Sequence, residues 1–431
     1  MCGEVIFVKA RTPAERGRVL YIIQAAVEYL VSILVTGSFL ATITKELGFS
    51  DGLTGIVSAI VSLGCLFQLL SVTIRRNVKR TVIVLSLTNQ VLFLLLYVIP
   101  LSGAAKPVKT VTFVVSIVLA YLIYNIIHPK KFNWLMSTVE DGHRGTFTAT
   151  KEIVSLISGV AFSFGMGALV DHLAAQGEQR MAFVVCAVVI FSLSMAHVLL
   201  LAWFPATKCE NQTRLSKGSA KRLLHNKGLR KTVVVFALYY MANDAITPFL
   251  GTYKISELGM SLSLVTAIGI VGSGSRIAVS HFLGRYADRR SFAAMAEKCF
   301  LILAVSWMCI VFAGPTNGVV MMILYTALHG VAMGGINSSL TNMVYDYVPR
   351  DQCAEAIAVT QATAGVVGFL TTVCISPVVT AIQKAGNTVL GISAYAQQVL
   401  AAVACVITLV IVAYVRLMLI RKSPRESTTE V

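Results

Sequence analysis

Twelve apolar stretches follow one another along this sequence, separated only by short polar segments. Each is about 20 residues long, the length a helix needs to cross a bilayer. The first six lie near 19–43, 53–74, 81–101, 109–138, 146–170 and 181–204. The second six lie near 231–252, 261–283, 293–313, 318–346, 354–382 and 391–419. Composition closes off the alternatives. Hydrophobic residues are 56% of the chain and charged residues 13%, about half the ~25% of soluble domains. So few charges cannot cover the surface of a soluble protein of 431 residues, and the same figures exclude disorder. The 9 cysteines form no C-x-x-C pair; they read as small apolar fillers, not a disulfide framework. The spans near 146–170 and 354–382 are rich in Gly, Ser and Thr, as expected where helices pack on helices and not on lipid.

The formal net charge of +16 would suit a nucleic-acid binder only if the basic residues formed one stripe or patch. They fall instead in short clusters between the apolar runs, so nucleic acid is not an expected partner. With both termini cytoplasmic, 30 of the 36 Lys and Arg lie on the inside. Only Lys45, Lys106, Lys109, Arg180, Lys254 and Lys384 lie outside. Cytoplasmic loops carry such an excess, so the expectation is a multi-pass protein of the cytoplasmic membrane with both ends inside. The first run is too long for a signal-peptide core and contains Glu28, which marks a retained helix. Asn211-Gln212-Thr213 has the glycosylation pattern but sits on the cytoplasmic side, a chance match.

The chain repeats itself. Glu46-Leu47-Gly48 after the first span returns as Glu257-Leu258-Gly259 after the seventh, an offset of 211. Arg76 and Arg80 match Arg285 and Arg289 at an offset of 209, and Asn133 and Val139 match Asn342 and Val348 at the same offset. Three loops agreeing within two residues point to a duplicated unit. Six spans per unit give both copies the same orientation, a known transporter architecture with its solute site near the midplane. The expected fold is therefore an all-α polytopic membrane protein of twelve helices in two parallel six-helix pseudo-repeats. Its domains would be an N-terminal bundle over 1–204, a basic linker over 205–230, and a C-terminal bundle over 231–431 ending in a short tail.

The segment Gly284-Arg285-Tyr286-Ala287-Asp288-Arg289-Arg290 resembles the signature loop of the major facilitator superfamily, G-x-x-x-D-R-x-G-R-R/K. Ser291 and Phe292 depart from its second half, and the first-repeat loop Arg75–Arg80 keeps only the final Arg. The resemblance implies a cytoplasmic latch formed by Gly284, Asp288 and Arg289, with Asp288 docking near Arg144-Gly145. An acid on a tight glycine turn can cap the positive end of a facing helix and let go again. The missing acid at Lys79 leaves the first repeat without the matching device. The alternative is that these residues anchor helix ends at the headgroups.

Glu28 and Asp244 lie inside the first and seventh spans. Placing an acid there costs at least ~2.5 kcal/mol, so both are expected to face the interior or a wet cavity. Gln24, Glu28, Ser32 and Thr36 recur every four residues along one helical face, and Tyr240, Asn243, Asp244 and Thr247 share another. Desolvation disfavours the charged form of a carboxyl, which suits proton uptake and release. The alternatives are a permanently protonated, hydrogen-bonded acid or a partner for a buried cation. Arg276, eight residues before Gly284, is a candidate cation of the cavity. Lys130 and Lys131 are expected to snorkel toward cytoplasmic headgroups, with a place in the cavity as the alternative. Further polar candidates are Tyr124, Asn125 and His128 in the fourth span, His329 and Asn337 in the tenth, and Gln361 in the eleventh. The resemblance implies that the first, fourth, seventh and tenth helices line the cavity, which ranks Asn125 and Asn337 above Gln361. A lone His329 reads first as a packing residue.

No G-x-x-x-x-G-K-S/T loop or H-E-x-x-H pair occurs. The expected function is a secondary active transporter that moves a small organic solute by alternating access, coupled to protons through Glu28 or Asp244, with sodium as the alternative ion. No cofactor is expected, and a monomer is. A multidrug exporter of the same fold is the second reading; the fifth span lacks the Gly-Pro element that resembles drug/proton antiporters. A non-transporting membrane enzyme or sensor is the reading from a different class, disfavoured by short loops and the lack of a catalytic constellation.

Overall fold

The computed structural model describes residues 12–68, 70, 77–139, 144–205, 225–348, 353–389 and 391–420, and these are mostly helical. The first stretch of chain forms α1 (Pro13–Leu34), α2 (Gly37–Glu46), α3 (Asp51–Phe67), α4 (Val78–Leu101), α5 (Lys106–Met136), α6 (Arg144–Ala175) and α7 (Gln179–Trp203). The second forms α8 (Lys227–Asp244), α9 (Leu262–Arg289), α10 (Phe292–Val311), α11 (Gly318–Tyr345), α12 (Cys353–Lys384) and α13 (Ala396–Val415). Among the described residues, 11 helical segments are long and apolar enough to cross a membrane. α1 and α2 make one of them, Pro13–Glu46, and α8 runs on through 3-10 and π turns to make Lys227–Glu257 another. The expected second span is represented by α3, 17 residues long; residues 69 and 71–76 lie outside the described residues. Large apolar side chains such as Trp203 and Phe282, 69% and 70% exposed, are left bare, which a lipid surround permits and water does not.

Two compact units are present: Met1–Thr36 with Leu70–Arg214, and Gly37–Leu69 with Leu215–Val431. The division differs from the expected bundles in placing Gly37–Leu69 with the later part of the chain. The cause is close packing of α3 on α12, where Gly365 lies against Ser62 and Cys65.

In the first unit α1 starts on a capping box. Glu15 N donates to Thr12 Oγ1 at 3.2 Å, Thr12 N donates to Glu15 Oε2 at 3.0 Å, and Pro13 opens the first turn. The helix stops at Leu34, which frees carbonyls that lipid could not satisfy. Two tyrosines take them up: Tyr97 Oη donates to Leu34 O at 2.6 Å and Tyr121 Oη to Val35 O at 3.4 Å. The break in the first span is therefore held from α4 and α5.

The second unit shows what the repeated Glu-Leu-Gly encodes. Gly48 and Gly259 have φ of 68° and 62°, the left-handed turn that ends a helix at little steric cost to glycine. Two residues on, Ser50 Oγ accepts from Leu53 N and Ser261 Oγ from Leu264 N, each at 3.2 Å. The repeat is thus a stop-and-restart signal, a glycine C-cap followed by a serine N-cap. α8 also breaks inside its span: the helix ends at Asp244, and Pro248, which has no N–H to donate, enters the turn that follows. The core of this unit is a continuous cluster around Phe236, Tyr253, Phe300 and Trp307.

Candidate functional site

Polar side chains gather at two places, one in each unit. In the first unit, Glu28 of α1 forms an ion pair with Lys131 of α5, through Oε1 and Nζ, and the two side chains are 19% and 5% exposed. Glu28 Oε2 accepts from Gln24 Nε2 at 2.7 Å, one helical turn earlier. The same Nε2 lies 2.8 Å from Nε2 of His197 on α7, which stands 3.8 Å from Glu28 Oε2. Lys131 also sits 5.6 Å from the Tyr124 ring centroid, within reach of its negative face. One carboxylate thus ties α1 to α5 directly and to α7 through an amide. An ion pair removed from water gains its attraction only when the remaining donors and acceptors are satisfied, and Gln24 supplies the second bond to the carboxylate.

The snorkelling expected of Lys131 is not what the structure shows. α5 continues for five residues past it, to Met136, so the ammonium lies inside the helix packing and points at Glu28. Lys130 is half-buried.

In the second unit, Asp244 closes α8 and is 4% exposed. Asn243 Nδ2 donates to its Oδ1 at 2.9 Å, and Thr247 Oγ1 donates to Asn243 Oδ1 at 3.1 Å. The backbone carbonyl of Asp244, released by the helix end, accepts from Thr372 Oγ1 of α12 at 2.6 Å. The carboxyl lies so close to Gly368 of α12 that a Cβ there would overlap Oδ2. Among the described residues no Lys, Arg or His pairs with it. A cavity of about 350 Å³ opens beside it, lined by Tyr240, Asn243, Asn337, Thr341 and Gln361 together with Ser62 of α3. Its chemistry is three carboxamides, hydroxyls, aromatic faces and one acid.

The remaining sequence candidates divide. Tyr240, Asn243, Asp244 and Asn337 meet on the cavity, as does Gln361, which ranked below Asn125. Asn125 is buried in the first unit, its Nδ2 donating to Tyr121 O at 2.9 Å within its own helix. Arg276 is not on the cavity; its charge reaches Tyr239 and His329. His329 packs among Trp307 and Tyr325, with ring centroids 5.8 and 5.3 Å away. His128 lies between Tyr124 and Phe132. Gly284 and Arg289 are exposed on the last turns of α9, so the expected glycine turn is a helix there. An isolated glycine costs a helix only about 1 kcal/mol, and the stop comes later, where Ser291 Oγ accepts from Ala294 N and starts α10. The side chains of Asp288 and Arg144 lie outside the described residues.

His197, Ser62, Gly368 and Thr372 were not singled out by the sequence. His197 carried a usable signal, a lone basic ring in an otherwise apolar run. Gly368 and Thr372 had none, since glycines and threonines recur along their helix.

A family model, Major Facilitator Superfamily, matches residues 20–372. A search of curated proteins finds no match. Among solved structures, a mutant of the nucleoside transporter NupG is similar at a TM-score of 0.73 with 14% identity, covering 93% of this chain and 99% of that one. A bacterial homolog of the human lysosomal transporter Spinster, inward-facing and unoccupied, gives 0.68 at 11% identity over 94% and 96%. A D-xylose-proton symporter gives 0.67 at 9% identity over 91% and 96%.

Proposed function

Because this chain belongs to the Major Facilitator Superfamily, we propose that it is a secondary active transporter that carries a small polar organic solute by alternating access, with protons as the coupling ion. Asp244 is the coupling acid, and Tyr240, Asn243, Asn337 and Gln361 contact the solute. With this reading go twelve spans in two six-helix repeats, both termini in the cytoplasm, and residence in the cytoplasmic membrane.

One observation carries the proposal: a carboxyl 4% exposed, on a polar cavity, with no cation beside it among the described residues. An unpaired charge is costly in such a setting, whereas the protonated acid is not. A change in hydration or in a neighbouring solute therefore shifts its proton occupancy, and that is the coupling step. Glu28 does not share this property, because Lys131 balances its charge. The amide-rich lining offers donors and acceptors together, suited to a solute bearing hydroxyl or ring-amide groups. Likeness to a nucleoside transporter and to a sugar–proton symporter makes nucleosides and pentoses the first probes. Purified protein in liposomes should accumulate at least one of them when the lumen is made alkaline. Equal uptake with and without the pH gradient, for every solute that enters, would reject proton coupling.

A further inference from the structure

The Glu28 cluster uses its hydrogen atoms in a way that fixes its protonation. Gln24 Nε2 carries two hydrogens, and both have takers, Glu28 Oε2 at 2.7 Å and His197 Nε2 at 2.8 Å. Both neighbours must accept: Glu28 is ionised, and His197 is a neutral ring with its lone pair on Nε2 and its proton on Nδ1. The atoms left over, Gln24 Oε1 and His197 Nδ1, are buried without a hydrogen-bond partner.

We propose that Glu28, Gln24 and His197 form a single proton-binding site in which the Gln24 amide ties the protonation of Glu28 to the tautomer of His197. A half-turn of the amide brings Oε1 into the shared position. Oε1 only accepts, so both neighbours must then donate. Glu28 has gained a proton on Oε2, and the imidazole has exchanged its Nδ1 proton for one on Nε2. The balance is one proton taken from solution; the ring is neutral in both states and Lys131 keeps its charge. Mixed states set donor against donor or acceptor against acceptor at hydrogen-bond distance and leave buried groups unpaired. The ionisable groups around the site are Tyr21 on α1, His128 and Lys131 on α5, and Lys151, 5.2 Å from the Tyr21 ring, on α6. Lys131 opposes a second positive charge and so favours the neutral ring. Loading the site discharges Glu28, and the electrostatic tie between α1 and α5 goes with it.

The inference does not depend on transport, and its test is spectroscopic. Nitrogen-15 histidine NMR of the whole protein in nanodiscs reports the tautomer of His197, and infrared difference spectra report the Glu28 carboxyl. His197→Asn and Glu28→Gln samples assign the two signals. The wild type should pass from an Nδ1-protonated ring beside a carboxylate to an Nε2-protonated ring beside a carboxylic acid, with one shared midpoint. In Gln24→Ala the tautomer ratio of His197 should stay constant across the Glu28 midpoint, because a neutral ring changing tautomer takes up no proton of its own. Separate midpoints in the wild type, an Nε2-protonated ring beside ionised Glu28, or a Glu28 that never protonates while the protein stays folded would overturn it. The wild-type result stands even where a variant fails to fold.

Discussion

Glu28 and Asp244 are the same functional group in two settings. Glu28 sits amid two unbroken stretches of helix, α1 and α5, and Lys131 meets it from the side. Asp244 sits where its helix ends, bonded to Asn243, pressed against the bare backbone of Gly368 and bordering a cavity. The first acid, while ionised, is balanced by a cation and ties helices together; the second has no cation beside it among the described residues. A buried carboxyl is therefore assigned by what faces it, since depth in the span is similar for both.

The difference should be largest in stability. Lys131→Met leaves Glu28 buried and unpaired and should destabilise the first unit by about 3–5 kcal/mol, as broken buried pairs do. Unfolding in detergent should show it, and adding Glu28→Gln should restore most of the loss. Asp244→Asn removes a charge that no cation balances, so the same assay should show a change within about 1 kcal/mol. A large loss at Asp244, or none at Lys131, would erase the distinction. Next in size is Gly368→Val, which drives a branched side chain into the Asp244 carboxyl. Overpacking of this kind costs about 1–3 kcal/mol, and proton-driven uptake should fall further than the melting temperature suggests. Smallest is Gln361→Ala, which removes one solute contact worth about 0.5–1.5 kcal/mol. It should raise the KM for the transported solute several-fold and leave unfolding unchanged.

Much of the fold could be read directly. Apolar length located the helices, and the repeated Glu-Leu-Gly proved to be a helix stop whose physics is local, a left-handed glycine followed by a serine cap. The intramembrane acids were also visible, because charge in an apolar run is conspicuous. Their partners were not. Lys131 lies 103 residues from Glu28, and periodicity gives the face of each helix but not the helix it meets. Lys131 near the end of a long span resembles a headgroup anchor until Glu28 is seen beside it. Gln361 was ranked down because its helix was not expected at the cavity. Gly368 matters only for the atom it leaves room for, which a sequence does not display.

The most direct test of the central claim separates accumulation from exchange. Liposomes bearing wild-type or Asp244→Asn protein are given a labelled solute that the wild type accumulates, once under an inward proton gradient and once as solute-for-solute exchange at uniform pH. The account predicts that Asp244→Asn loses gradient-driven accumulation while exchange continues. Accumulation by Asp244→Asn equal to that of the wild type would contradict it.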